Sequence, residues 1–140
     1  MNQFRFFKWG TYAMIITGAA HLFGHFQAPN LSTPAQKNLY DLMSTVQFEL
    51  DPMFTRSAMD VSNAFSLFLS MMLFLLFVAC FIVLRSDPNP ELIKKLSISI
   101  AVGMLGMVLI SLLYGFSIPI ILFTIIMTLM FISYFRIKTS

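Results

Sequence analysis

The chain has 140 residues, of which 58% are hydrophobic and 11% charged, and its mean hydropathy is +0.82. A water-soluble domain carries about 25% charged residues, so most of this chain is built for apolar surroundings, and its length suits one domain. The net charge of +3 is too small to argue for nucleic acid, and the single cysteine, Cys80, excludes an intrachain disulfide and a zinc site built on cysteines.

The first apolar run, Phe6 to Phe26, resembles a signal peptide in its basic start (Arg5, Lys8) and its small residues Gly18-Ala19-Ala20. A run of about 20 apolar residues also suits a membrane-spanning helix, and we read it as a retained span. The next segment, 27–60, is too long to be a plain connector. Within it Thr33 is a candidate N-cap, Pro34 fits the first helical position, and Gln36 completes a Thr-x-x-Gln capping box. Leu39, Leu42, Met43, Val46 and Leu50 then recur at helical spacing. This pattern predicts an amphipathic helix of about four turns that Asp51-Pro52 ends, lying on the membrane or capping the spans.

The second span is expected over 61–84, where Phe, Leu, Met and Val dominate. The cluster Ser86-Asp87-Pro88-Asn89-Pro90 is a turn that no helix would cross. A third span over 96–113 and a fourth over 119–135 follow, joined by a tight turn from Tyr114 to Pro119. A spanning backbone must satisfy its own hydrogen bonds, and no barrel alternation is visible. The expected fold is therefore all-α: an integral membrane four-helix bundle, one domain over 1–140, with an amphipathic helix in the long loop between the first two spans.

Charge sets the orientation. Arg5, Lys8, Arg85, Lys94, Lys95, Arg136 and Lys138 lie on the side of the termini, with only Asp87 and Glu91 against them. The long loop holds Lys37 and Arg56 against Asp41, Glu49, Asp51 and Asp60, a net −2. Both termini are expected in the cytoplasm and the long loop outside.

Few polar residues interrupt the apolar mass. His21 and His25 are spaced i, i+4 on one helix face, with Gly10, Met14, Gly18 and Gly24 on or beside it, and small residues let a neighbouring helix approach. Asp60, Asn63, Ser66 and Ser70 form a polar stripe at the start of the second span, at the same depth as the histidines. Arg56 and Tyr114 are placed within reach. His21, His25 and Asp60 are expected to converge, because a carboxylate beside apolar helices is costly unless paired or wet. The plain alternatives are that the histidines bond only to loop backbone and that Asp60 serves as the N-cap of its helix.

His21-Leu22-Phe23-Gly24-His25, then Arg56-Ser57 and Asp60, then Phe65-Ser66-Leu67 resemble a family of short four-helix bacterial membrane proteins of unknown function. That resemblance implies the four-helix fold, a shared polar cluster and the bacterial inner membrane, but no activity. This chain has Thr55-Arg56-Ser57 where the family has Gly-Arg-Thr. A looser likeness is to the emopamil-binding and sigma-2 receptor fold, through the long loop with its Asp51-Pro52. It implies a lipid pocket under that loop; the carboxylates of the isomerases in that group have no match here.

Three functions are carried forward. The first is a membrane protein binding a small apolar or amphipathic ligand, lipid or quinone-like, in an outer-leaflet pocket. Its candidate residues are His21, His25, Arg56, Asp60, Asn63, Ser66 and Tyr114. The second is a metal-dependent membrane enzyme using His21, His25 and Asp60, since two imidazoles at i, i+4 and a carboxylate can hold one ion. The third is a structural or assembly subunit without a ligand. Membrane lipid is the expected partner, nucleic acid is not, and homo-oligomerisation is left open, as are metal occupancy and enzymatic activity.

Overall fold

The computed structural model describes residues 3–51, 54–87, 89–114 and 117–138. The order is α1 (Arg5–His25), α2 (Pro34–Thr45), β1 (Gln47–Asp51), β2 (Phe54–Ser57), α3 (Ala58–Arg85), α4 (Pro90–Leu113) and α5 (Ser117–Arg136). The chain forms two compact units, Met1–Gly18 with Met72–Ser140, and Ala19–Met71.

Three described helices, α3, α4 and α5, are long and apolar enough to cross a membrane. The protein is therefore a multi-pass membrane protein. Large apolar side chains point outward along them, with Phe135 77% and Leu113 81% exposed, a surface that suits lipid rather than water. The expectation of a fourth span is not met on the same terms. At 21 residues α1 has the length, but Lys8, Thr11, Tyr12, Thr17, His21 and His25 dilute its apolar run.

In the larger unit α4 and α5 make the most extensive helix contact. Ile93, Ile100, Ala101, Met104 and Val108 of α4 are buried, as are Phe123, Ile126 and Met130 of α5. The hydroxyls of Ser97 and Ser133 lie 3.0 Å apart at this contact, and Ser97 Oγ is 2.8 Å from the Ile93 carbonyl. Such bonds satisfy hydroxyls that have no water to turn to. Helix α1 buries Phe7, Gly10, Thr11, Met14, Thr17 and Gly18 on one stripe. A Cβ at Gly10 would stand 2.7 Å from Cε of Met130, so glycine permits this close approach to α5. At Gly24 a Cβ would meet nothing within 4 Å.

The smaller unit departs most from expectation. The capping box is present: Gln36 N donates to Thr33 Oγ1 at 3.2 Å, and Thr33 N donates to Gln36 Oε1 at 3.0 Å. However, α2 ends at Thr45, and Val46 is extended with ψ 115°. The hydroxyls of Ser44 and Thr45 both return to the Asp41 carbonyl, at 3.0 and 2.6 Å. Val46 and Leu50, read as the end of one long helix, fall outside it. Residues 47–51 instead pair antiparallel with 54–57, with Phe48 opposite Arg56 and Glu49 opposite Thr55. A cross-strand partner decides this segment, and helical spacing of apolar residues cannot reveal that partner. Pro52, expected to stop the helix, lies outside the described residues, as do Pro88 and the centre of the expected 114–119 turn.

Candidate functional site

Helix α3 begins with a second capping box. Ser57 N and Ser57 Oγ donate to Asp60 Oδ2 at 3.0 and 2.9 Å, and Asp60 N donates to Ser57 Oγ at 3.1 Å. Ser57 is thus the N-cap and Asp60 the third helical residue, whose carboxylate also suits the positive end of the helix. This corrects two expectations: Asp60 is not itself the N-cap, and its carboxylate turns to Ser57 rather than to an imidazole. The pattern Ser57-x-x-Asp60 before an apolar run is a readable signal for this cap.

The histidines have other surroundings. His21 is half-buried, and its Nε2 lies 3.0 Å from Ser66 Oγ on α3. His25, the last residue of α1, meets the ring of Phe26 edge-on, with centroids 5.1 Å apart. Ser70 Oγ turns to the Ser66 carbonyl at 3.4 Å. Asn63 is exposed on the second turn of α3. Among the described residues no three His, Cys, Asp or Glu side chains come together to hold a metal ion. The expected His21/His25/Asp60 set is therefore not assembled, because the capping box holds Asp60 at the mouth of its own helix.

A groove of about 240 Å³ runs along the start of α3, lined by Arg56, Asp60, Val61, Ala64, Phe65 and Phe68. Val61, Ala64, Phe65 and Phe68 follow helical spacing and share one face. Ser66 sits between Ala64 and Phe68 in sequence and projects from the other side of α3, since residues two apart do not share a helix face. The polar stripe read as one cluster is thus two places: the contact of His21 with Ser66, and the groove of Arg56 and Asp60. Arg56, opposite Phe48 in the hairpin, donates from Nη1 to the Thr55 carbonyl at 2.8 Å. Tyr114 caps the end of α4, 72% exposed, and belongs to the other unit.

The groove joins a guanidinium and a carboxylate at one end to an apolar wall of two phenylalanines, 69% and 65% exposed. Such a surface can hold a molecule with a polar head and an apolar body. Residue type alone does not single out Val61, Ala64, Phe65 and Phe68 as lining residues, although their helical spacing is legible in the sequence. No family model matches the chain, and no curated protein or solved structure matches it at a significant level.

Proposed function

We propose that this protein binds a small amphipathic molecule, lipid or quinone-like, in the groove at the start of α3. The single observation that carries this reading is the pairing of Arg56 and Asp60 with Val61, Ala64, Phe65 and Phe68 around one groove. The polar end of the ligand meets Arg56 and Asp60, and its apolar body lies along Phe65 and Phe68. His21 and Ser66 act as a structural tie between α1 and α3. In this reading α1 is a fourth span completing a four-helix bundle, and α2 lies at the membrane surface with Leu39 and Leu42 turned to lipid. The exposure of those two leucines, 59% and 58%, supports that placement. In the same reading the membrane is a bacterial inner membrane, and the charge asymmetry supports both termini in the cytoplasm and the groove in the outer leaflet.

In a Trp9→Phe background, a Phe68→Trp variant supplies a single fluorophore, in the groove. Its emission in detergent is titrated with decylubiquinone and, separately, with a brominated phosphatidylglycerol. Saturable quenching by either supports the proposal and tells the two ligand classes apart. Arg56→Gln and Asp60→Asn should then weaken the saturating component. Quenching that rises without saturation for both probes, as for free tryptophan amide in the same micelles, overturns it.

A further inference from the structure

The opposite charge pattern marks a second place on the molecule, at the start of α1 and the end of α5. Arg136 Cζ lies 6.0 Å from the centre of the Phe6 ring, which brings these two helix ends together. Beside that contact runs a shallow groove of about 560 Å³, lined by Phe6, Thr128, Phe131, Ile132, Phe135 and Arg136. The α5 residues follow the i, i+3, i+4, i+7, i+8 rule, so they form one stripe along about 12 Å of helix. The stripe ends at a guanidinium.

The charge around this groove has no compensation within its own elements. Arg5, Lys8, Arg136 and Lys138 belong to the two helix ends, and residues 3–26 and 117–138 contain no Asp or Glu. Two of these cations face aromatic rings: Arg136 at Phe6, and Lys8 Nζ 5.9 Å from the Tyr12 ring. By contrast, Lys95 at the start of α4 is neutralised by Glu91 at 2.7 Å.

We propose that this groove binds an anionic phospholipid. Its acyl chain lies along Thr128, Phe131, Ile132 and Phe135, and Arg136 takes the phosphate. The groove lies on a helix long and apolar enough to cross a membrane, so hydrocarbon is what fills it in this proposal. A guanidinium pairs with phosphate through two parallel hydrogen bonds, and basic pockets at helix ends select anionic headgroups. A zwitterionic headgroup brings its own cation and gains less. The inference rests on α1, α5 and their charges, and stands or falls independently of the groove at the start of α3.

The test is native mass spectrometry of the full chain released from nanodiscs holding equal amounts of phosphatidylglycerol and phosphatidylcholine with the same acyl chains. Phosphatidylglycerol should be retained in preference. Arg136→Gln should cut that preference about fivefold, the effect of one cation at a membrane surface. Thr128→Trp, which fills the groove, should lower retention of both lipids. Lys95→Gln should leave the preference unchanged. If Arg136→Gln does not yield folded protein, Arg136→Lys replaces it; it keeps the charge, loses the two parallel hydrogen bonds to phosphate, and should lower the preference in the same direction. Retained lipid that mirrors the bulk mixture overturns the proposal. So does an equal loss in Lys95→Gln, which would make the effect one of overall charge, or displacement of the lipid by inorganic phosphate alone.

Discussion

His21 Nε2 and Ser66 Oγ lie 3.0 Å apart, joining α1 to α3 across 45 positions of sequence. Hydrogen bonds between helices in a membrane contribute about 0.6 kcal/mol on average and up to about 1.7. Ser66→Ala and His21→Ala should each destabilise the protein. The double variant should lose less than the sum, with a coupling of about 0.5–1.5 kcal/mol. Unfolding in detergent followed by circular dichroism reads all four proteins; strict additivity would remove this tie.

The capping box at Ser57 gives a sharper contrast. Ser57→Ala removes the N-cap hydroxyl, and the loss of such a cap costs about 1 kcal/mol. Asp60→Asn keeps an acceptor at the same place and should cost less than Asp60→Ala. The melting temperatures of the three variants check this order. If Asp60→Ala proved the mildest, the carboxylate would have no capping role.

The glycines of α1 should differ from one another. Gly24→Leu meets open space and should be tolerated. Gly10→Leu drives a side chain into Met130, which is fully buried, and overpacking of that kind costs about 1–3 kcal/mol. Gly10→Ala meets only the flexible end of Met130 and should be mild. Met130→Ala should recover part of the loss in Gly10→Leu, as measured by detergent unfolding.

The proposed topology is open to labelling in intact cells. In a Cys80→Ala background, Asn30→Cys should react with an impermeant maleimide and Asn89→Cys should not. The reverse pattern would turn the α3 groove to the cytoplasm and leave its residues unchanged.

The Ser97–Ser133 contact predicts a limited effect. Ser133→Ala should cost about 0.6 kcal/mol, because Ser97 keeps the Ile93 carbonyl, 2.8 Å away, as a partner. Ser97→Leu should cost several times more, since Ser97 has no exposed surface. Unfolding curves of the two variants distinguish a replaceable hydroxyl from a packing position.

The membrane character, the three apolar helices, the Thr33 capping box and the break between α3 and α4 were all legible in the sequence. Each follows from local chemistry: runs without charge, a hydroxyl three residues ahead of a glutamine, a proline that cannot continue a helix. The hairpin was not legible, because Val46 and Leu50 fit helical spacing equally well and only pairing of 47–51 with 54–57 excludes it. The site was partly legible. Residue types singled out His21, Ser66, Arg56 and Asp60, yet their grouping into one cluster failed. Asp60 had a nearer partner in Ser57, and the helix carries Ser66 to a different face from Phe65 and Phe68. Which polar group answers which is a matter of angle about the α3 axis and of competing donors a few ångströms away. Tertiary structure alone fixes those, because positions that are neighbours in sequence diverge around a helix, and positions 45 apart can meet.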